Sequence, residues 1–261
     1  MKVQQAQQSP EVGRTNTNTF ITGQDKNTAD GASLFINKSK PKKVRRNTKL
    51  DSNTHRNFYI VGSNLTFDGN NKTISFSKRN DQSSGIELDK KAKNVTIKNC
   101  KIEGFLMGIA VRRNSNITIE NNDIQSCKRD GIDVNSSSDC KFSNNILKNN
   151  KVNGIELDFS KNCEISGNIL SGNEDGIDLD KCSDLKICNN NSSGNGRDGI
   201  RVDQNSKNNY IDGNTVENNG RNGLRISDGS VENTVVNNSI KNNGTNISIL
   251  KELEDLNTIV E

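Results

Sequence analysis

The stretch that decides the fold is Gly176-Ile177-Asp178-Leu179-Asp180, in which a glycine precedes alternating aliphatic and polar residues. The same pattern begins at six other glycines, which occupy positions 85, 108, 131, 154, 199 and 223. Successive glycines are 23, 23, 23, 22, 23 and 24 residues apart. A fixed period of about 20–50 residues is the signature of a solenoid. The sequence therefore predicts a repeat protein in which each copy forms one turn.

The pattern within a copy predicts β-structure. In the copy that begins at Gly154, strand alternation places Ile155 and Leu157 inside and Glu156 and Asp158 outside. Two further short apolar segments follow in each copy, separated by Ser, Asn and Gly. Such segments between small turn residues are typical of strands rather than helices. We expect each copy to be one triangular coil of three strands in an all-β protein.

Asparagine recurs at one turn position of the repeat. The residues at this position are Asn122, Asn145, Asn168, Asn190, Asn214 and Asn238, with Cys100 in the earliest copy. Stacked amides can bond to one another along the axis, so we expect a structural ladder. The repeated glycine is expected to supply either a positive φ or a close backbone approach.

Composition fits a thin-layered solenoid. Hydrophobic residues make up 29% of the chain and mean hydropathy is −0.83, values that would also suit a disordered chain. The net charge of only +4 and the regular placement of apolar residues argue against disorder. The sequence shows no signal peptide and no apolar run that would cross a membrane. We therefore expect an intracellular or virion-associated protein with no membrane contact.

Three regions are expected: an irregular basic segment over 1–56, the solenoid over 57–245 and a helical cap over 246–261. Within the first, a short strand is expected near 19–21. The basic segment 38–49 contains Pro-Lys-Lys-Val-Arg-Arg, which suits a nuclear-import signal, a contact with an anionic polymer, or a solvated loop. It lacks interleaved aromatic residues, so base stacking is not indicated, and nucleic-acid contact is expected nowhere else.

The end of the solenoid is expected to be covered by a short α-helix. Aliphatic residues there follow helical spacing, and Ser248 is a candidate N-cap; they are Ile249, Leu250, Leu253, Leu256 and Ile259. A helix would protect exposed strand edges, and an oligomerisation helix is the alternative. An insertion is expected at 77–84.

Cysteine placement indicates buried thiols. Cys140 and Cys163 lie one repeat apart at the inward position that Val95, Ile117 and Leu185 hold in other copies. Neighbouring strands lie about 4.8 Å apart, so a disulfide between them is the alternative. The only histidine, His55, lies outside the repeats, which argues against zinc.

The Asn-rich Gly-Ile-x-Leu/Val units over 57–245 resemble the right-handed parallel β-helix repeats of the pectate-lyase-like superfamily. Similar repeats occur in pectate and alginate lyases, mannuronan C5-epimerases, polygalacturonases, phage tailspikes and the periplasmic copper-maturation protein of nitrous-oxide reductase. The resemblance implies a right-handed parallel β-helix with about 23 residues per coil. It does not extend to activity motifs: the repeats lack histidine, and only Arg225-Ile226-Ser227 partly resembles the polygalacturonase Arg-Ile-Lys motif.

The outer face of the Gly-Ile strands is the candidate site. Two residues after each glycine lie Glu87, Ala110, Asp133, Glu156, Asp178, Arg201 and Arg225. Four residues after it lie Asp89, Arg112, Asn135, Asp158, Asp180, Asp203 and Ser227. Equivalent positions are about 4.8 Å apart in a parallel stack, where like charges repel by about 1 kcal/mol even in water. Cations, arginines or protonation must therefore compensate.

One interpretation is a carbohydrate-directed protein that binds an acidic polysaccharide or cleaves it by lyase-like β-elimination. A C5-epimerase or a glycoside hydrolase comes second. Arg201 and Arg225 would then act as base or neutralising group, with Asp178 as a third catalytic residue. The substrate-binding residues would be Asp133, Glu156, Asp158 and Arg112. A Ca²⁺ ion, the one cofactor considered, would be held by Asp178, Asp180 and Asp203.

The alternative is a non-catalytic β-helix, such as a virion or surface component or an intracellular scaffold, and a homo-oligomer such as a trimer fits either reading. Any solvated strand face needs polar outward residues, and few aromatic residues are available to stack on sugars. These features and the missing motif histidine favour the alternative. The clustered Asp/Arg stripe favours the carbohydrate-directed interpretation.

Overall fold

The computed structural model describes residues 40–76 and 83–260, all within the unit formed by residues 38–261. The predicted strand near 19–21 and most of the predicted insertion at 77–84 lie outside the described residues. The described part of the chain contains three parallel sheets, two of ten strands and one of eight. We call them sheets A, B and C in the order in which each turn visits them. Among the described residues, no helix is long and apolar enough to cross a membrane.

The three sheets contain nearly all of the regular structure. Sheet A consists of Lys42–Val44, Phe58–Ile60, Ser84–Leu88, Met107–Arg112, Ile132–Asn135, Asn153–Asp158, Asp175–Asp180, Ile200–Asp203, Asn222–Ile226 and Thr245–Ile249. Sheet B consists of Thr48–Lys49, Leu65–Asp68, Lys93–Lys98, Ser115–Glu120, Lys141–Ser143, Glu164–Ser166, Lys186–Cys188, Tyr210–Asp212, Thr234–Val236 and Thr258–Val260. Sheet C consists of Thr73–Ser75, Lys101–Glu103, Asp123–Gln125, Ile146–Lys148, Ile169–Ser171, Asn191–Ser193, Thr215–Glu217 and Ser239–Lys241.

Each strand pairs in register with the equivalent strand of the next turn. In sheet A, Ile155 lies opposite Ile177 and Leu157 lies opposite Leu179. All four side chains are fully buried, so the aliphatic positions of successive repeats form continuous inward stacks. This arrangement confirms the all-β solenoid with three strands per turn. The core is one narrow column, which is why so few hydrophobic residues suffice.

The solenoid begins earlier than the sequence pattern suggests. Lys42–Val44 pairs with Phe58–Ile60, and Thr48–Lys49 pairs with Leu65–Asp68. The basic segment 38–49 is therefore partly built into sheets A and B, and Val44 is only 3% exposed. The periodicity was hidden because this turn lacks the Gly-Ile unit and its outward residues are lysines.

The C-terminal end also differs from the prediction. Residues 246–260 do not form the predicted α-helix: Lys251–Leu256 is a 3₁₀-helix of six residues between the last strands of sheets A and B. Ser248 lies in a sheet A strand and is not an N-cap. The aliphatic spacing that mimicked a helix has another cause, because residues 249 and 259 pack as strand residues and only Leu253 of the helix is buried.

Asparagine amides hold successive turns together. The Asn168 side chain donates to Asn190 Oδ1 at 2.9 Å and to the Phe142 carbonyl at 2.9 Å, while its Oδ1 accepts the Asn145 side-chain amide at 3.0 Å. The ladder runs over Asn122, Asn145, Asn168, Asn190, Asn214 and Asn238, as predicted. A second ladder follows sheet C, over Asn150, Asn173, Asn195, Asn219 and Asn243. A third lies directly before the strands of sheet B, over Asn209, Asn233 and Asn257.

Asparagine also adopts the backbone conformation that the turns require. The residue before each amide of the first two ladders has a positive φ, for example Asn144 at 54°, Gly167 at 64° and Asn189 at 54°. Glycine and asparagine tolerate this left-handed region best. The repeated glycine of sheet A does not adopt this conformation, because its φ is not positive. It is needed for close packing instead: a Cβ on Gly154 would lie 2.7 Å from the Gly176 carbonyl oxygen. Of the two expected roles, close backbone approach is the one observed.

All six cysteines are free thiols. Cys140 and Cys163 are each 2% exposed and lie on neighbouring turns. Their Sγ atoms lie within hydrogen-bonding distance of the carbonyls of Ser138, at 3.1 Å, and Lys161, at 3.2 Å. The buried thiol stack, rather than the disulfide, is the arrangement that the structure contains.

Breaking the ladder should destabilise the solenoid. Asn168→Ala would remove the acceptor that the buried backbone and side-chain amides of Asn145 share, and a buried group that loses its partner costs about 1–3 kcal/mol. We expect urea unfolding of this variant at a clearly lower midpoint than wild type. Asn191→Ala, at an exposed position of the next turn, is the control and should change stability by less than about 0.5 kcal/mol. Equal midpoints for the two variants would contradict the role of the ladder.

Candidate functional site

The predicted outward residues do share one surface, the outer face of sheet A. Glu156 lies opposite Asp178, and Asp158 lies opposite Asp180. Asp178 and Asp180 in turn lie opposite Arg201 and Asp203. Strand pairing thus brings the candidate residues together in two adjacent columns. We call this surface the outer face.

Arg201 lies at the centre of an acidic cluster. This cluster consists of Glu156, Asp158, Asp178, Asp180 and Asp203. Arg201 Nη1 lies 2.9 Å from Asp178 Oδ2, and Arg201 Nη2 contacts Asp203 Oδ2. Asp203 also accepts the Ser227 hydroxyl at 3.0 Å. The side-chain amide of Gln204 donates to Asp180 Oδ2 at 2.5 Å. Arg201 therefore bridges carboxylates on two successive turns, which we call rungs of the outer face.

A second ion-pair network lies towards the N-terminal end of the outer face. Arg112 Nη2 lies 2.5 Å from Asp133 Oδ2. Arg129 Nη2 lies 3.5 Å from Glu156 Oε2 and 3.4 Å from Asp130 Oδ2. Two arginines therefore reach over the carboxylates from neighbouring turns, but neither bridges two of them as closely as Arg201 does.

Much of the outer face is buried, which its outward position did not predict. Exposure falls to 6% for Asp178, 7% for Arg201 and 1% for Asp203. Stacked side chains of adjacent rungs cover one another laterally. Asp178 Oδ1 and Asp180 Oδ1 have no hydrogen-bond partner among the described residues. The face therefore holds desolvated carboxyl groups that are not fully compensated.

Burial and crowding separate the pKa values of these carboxyl groups. Burial, followed by Asp130 and Asp158, raises the pKa of Glu156 to about 9. Burial raises the pKa of Asp178 to about 7 against the opposing effect of Arg201. Burial likewise raises the pKa of Asp180 to about 6.

Asp203 shifts in the opposite direction. Burial opposes its ionisation, but Arg201 and a hydrogen bond shared with Asp228 outweigh burial, so the pKa of Asp203 falls to about 2. The neighbouring carboxylates hold the pKa of the Arg201 guanidinium above its ordinary value, although burial lowers it. Asp203 and Arg201 are therefore a permanently charged pair.

The predicted Ca²⁺ ligands do not surround an open position. The guanidinium of Arg201 bridges Asp178 and Asp203, where a cation would otherwise compensate them. Within residues 40–76 and 83–260, no three acidic, histidine or cysteine side chains form a group that could hold a metal ion. The residues present fit an arginine-compensated cluster rather than a calcium site.

The two candidate catalytic arginines differ in their surroundings. Arg225 lies one rung beyond Arg201 in the same column and is half-buried. In the described part of the chain it forms no ion pair within 4.0 Å, whereas Arg201 forms two. Arg225 is therefore more available than Arg201 for pairing with a bound anion. It lies on the second strand beyond that of Asp178, however, so the two residues are not direct neighbours.

Sequence reasoning missed the acidic residues directly before the repeated glycine. Asp130, Asp175 and Asp198 occupy this position and are 0%, 2% and 0% exposed. Asp130 Oδ1 accepts the Asn153 backbone amide at 3.0 Å, and Asp198 Oδ1 accepts the Asn222 side chain at 2.7 Å. Their recurrence one residue before the glycine was a detectable signal. They stabilise the turn, and Asp130 also raises the pKa of Glu156.

An open cleft adjoins the outer face at its N-terminal end. Its volume is about 530 Å³. The lining residues are Tyr59, Glu87, Leu88, Asp89, Lys90, Arg112, Arg113 and Asn135. The Tyr59 hydroxyl donates to Asp89 Oδ2 at 2.8 Å, and Asn135 donates to Asp158 Oδ2 at 3.3 Å. Asn135 thus connects the cleft to the acidic cluster.

The fold and the outer face define a parallel β-helix protein, and solved structures share this architecture. The periplasmic alginate epimerase AlgG is 20% identical over 74% of this chain and 51% of its own, with a TM-score of 0.56. DFA-IIIase from Arthrobacter chlorophenolicus A6 is 13% identical over 69% and 49%, with a TM-score of 0.59. The Dettilon tailspike protein is 14% identical over 82% and 56%, with a TM-score of 0.62. At these identities the likeness shows the fold alone.

A family model described as a right-handed β-helix region matches residues 30–187 and 108–254. The chain belongs to this family, which confirms the right-handed β-helix inferred from the repeats. It spans about half the length of the structures it resembles. No curated protein matches the sequence significantly.

Removing Arg201 should destabilise the protein at neutral pH. Arg201→Ala would leave Asp178 and Asp203 buried without a counter-charge, and breaking such a buried pair costs about 3–5 kcal/mol. Lowering the pH should reduce the loss, because protonation removes the repulsion. Denaturant unfolding measures both effects. Arg225→Ala, one rung away, is the control, and a similar loss for this variant would contradict the bridging role of Arg201.

Glu156 should make the protein less stable as the pH rises. Its pKa is about 9 in the folded protein against 4.5 for a free group, so the folded state binds the extra proton between these values. The stabilising contribution is complete below pH 4.5 and is lost by pH about 9. Glu156→Gln mimics the protonated group. Its free energy of unfolding, measured with denaturant, should therefore equal that of wild type at low pH and exceed it at high pH.

Glu164 is the control with the opposite sign. A hydrogen bond from Ser166 and the contact with Lys141 lower the pKa of its carboxyl group. Its ionised form therefore contributes stability above its ordinary pKa of 4.5, so Glu164→Gln should be less stable than wild type at neutral pH. If Glu156→Gln followed the same direction as Glu164→Gln, the raised pKa of Glu156 would be contradicted.

Proposed function

We propose that this chain is a carbohydrate-directed β-helix protein that binds and cleaves an acidic polysaccharide along the outer face. The observation that carries the proposal is the separation of carboxyl pKa values at neighbouring positions, with Glu156 at about 9, Asp178 at about 7 and Asp203 at about 2. Groups whose environments push their pKa values apart are typical of acid–base sites. Glu156 and Asp178 lie on adjacent rungs, about 4.8 Å apart along the axis.

Each carboxyl group has a distinct role in the proposed cleavage. At neutral pH Glu156 is protonated and donates its proton to the glycosidic oxygen that leaves. Asp178 titrates near neutrality, so it accepts a proton either from C5 of a uronate, in β-elimination, or from the attacking water, in hydrolysis. In both routes Glu156 loses one proton and Asp178 gains one, so proton exchange with solvent restores both groups with no net release, and no oxidant or reductant is needed.

Arg201 supports these groups without exchanging protons. The pKa of its guanidinium lies above the ordinary value, so we assign the role of base to Asp178 rather than to Arg201. It keeps Asp203 ionised and orients Asp178 through the 2.9 Å contact. Arg225, which is half-buried and forms no ion pair among the described residues, is the candidate for neutralising a substrate carboxylate.

An acidic polymer suits the charges at the edge of the outer face. Lys90, Arg112 and Arg113 line the cleft, and arginine binds carboxylates through paired hydrogen bonds. The cleft continues into the acidic cluster through Asn135. A polysaccharide with carboxylates held in the cleft would pass its next glycosidic bond over Glu156. The alginate epimerase that shares the fold suggests uronate polymers as the first substrates to try.

Proton NMR of alginate, pectate and neutral glycans tests the proposal, with wild-type protein, Ca²⁺ and then chelator. New olefinic signals identify a lyase, altered uronate ratios identify an epimerase, and new reducing ends identify a hydrolase. Glu156→Gln and Asp178→Asn should each reduce turnover by about 100-fold or more, the usual contribution of an acid or base. The matched control is Asp123→Asn, a carboxylate on sheet C, which should retain full turnover.

The second candidate is a non-catalytic β-helix, either a virion or surface component or an intracellular scaffold. The observation that favours it is that Arg112, Arg129 and Arg201 are paired with Asp133, Asp130 and Asp178, as a self-compensating surface requires. Unchanged spectra across the whole panel would overturn the cleavage proposal and support this candidate. Binding without turnover would restrict the proposed function to carbohydrate recognition.

A further inference from the structure

Phe159 is an exposed aromatic residue at the edge of the outer face. It is 56% exposed and has a φ of 49°, a conformation that bulky residues rarely adopt. It belongs to a column of residues that directly follow the outer face, namely Arg113, Ser136, Phe159, Lys181, Gln204 and Asp228, all with positive φ. The other members are polar. The ring is absent from the hydrophobic core, so packing does not explain its presence there.

One side of the ring faces a cation. Lys181 Nζ lies over the ring, 4.7 Å from its centroid. Lys181 belongs to the following turn, whereas Ser136, one turn earlier, is small and exposed. Backbone bonds fix this order, because Ser136 N donates to the Asp158 carbonyl and Phe159 N donates to the Asp180 carbonyl. The ring therefore has a lysine on one side along the axis and a small residue on the other.

Arg113 lies on the far side of Ser136. Its backbone amide donates to the Asn135 carbonyl, which places it one further turn back. Phe159 and Arg113 are thus two rungs apart, about 9–10 Å at the usual strand spacing. Arg113 is exposed and lines the cleft together with Asn135. Along the column, only the small side chain of Ser136 stands between Phe159 and Arg113, and this order defines the gap between them.

We propose that this gap is a sugar subsite that takes one uronate unit of an acidic polysaccharide. The C–H face of the pyranose ring stacks on Phe159, and the uronate carboxylate pairs with Arg113. Asn135 and Asp158 border the gap and accept or donate hydrogen bonds to the hydroxyl groups. The inference rests on the proposed function and deepens it, because it places the unit bound next to Glu156 and defines the class of sugar recognised.

The test measures affinity for a uronate oligosaccharide and for its carboxyl-reduced analogue by titration calorimetry with the full chain. Phe159→Asn preserves the positive φ and removes the ring, so it should fold at least as stably as wild type but bind both ligands roughly tenfold more weakly. Phe159→Trp should retain affinity. Arg113→Asn should lose affinity for the uronate alone, since only that ligand carries the carboxylate.

Ile169→Ala is the matched control, because Ile169 is a comparably exposed apolar residue on sheet C, at 42% exposure. Its affinities should equal those of wild type. If wild type binds the uronate and Phe159→Asn binds it equally well, the subsite is overturned while the proposed function stands. If wild type binds no glycan of the panel, the proposed function fails and the subsite fails with it.

Discussion

The in-register stacking of equivalent residues on neighbouring turns determines both the stability and the chemistry of this protein. Inside, stacking aligns aliphatic residues and lets each ladder asparagine satisfy its neighbour's buried amide. Outside, the same register forces like-charged residues together, as with Asp158 and Asp180. The backbone spacing cannot relax this repulsion, so the side chains must respond by pairing with arginine or by retaining protons. The electrostatics of the outer face are therefore a direct consequence of the fold.

The pKa values of the outer-face carboxyl groups are shifted here without a closed pocket. Enzyme sites usually desolvate their carboxyl groups in a concave cleft, whereas here neighbouring rungs and overlying arginines cover one another on an open sheet. Asp178 is only 6% exposed on a surface that faces outward. Such a surface leaves room for a long polymer to lie along the axis. It also places the cleft, the proposed acid and base, and the exposed ring of Phe159 in one continuous strip.

Most of the fold could be predicted from the sequence, because every turn of a solenoid repeats the same residue pattern. The Gly-Ile unit predicted sheet A, and the period placed the ladder asparagines correctly. The predictions were wrong where the repeat pattern is absent or misleading. Lys42–Val44 lacks the Gly-Ile unit, so the first turn was missed, and the aliphatic spacing after residue 248 resembles that of a helix. For the site, register predicted which residues meet. It could not predict that Arg201 would bridge Asp178 and Asp203, since that depends on side-chain reach and burial.

The ladder asparagines have a consequence for how the length of this protein can vary. Each ladder amide contacts only the turns before and after it. The ladder asparagines of turn 154–176 therefore make no hydrogen bond to a distant turn. A whole turn can therefore be lost or duplicated while every remaining asparagine still meets an asparagine, as expected of repeat proteins with nearest-neighbour stability. The fold would survive such a change, whereas the order of charges along the outer face would not. Copy number thus offers a route to a different surface pattern on an unchanged scaffold.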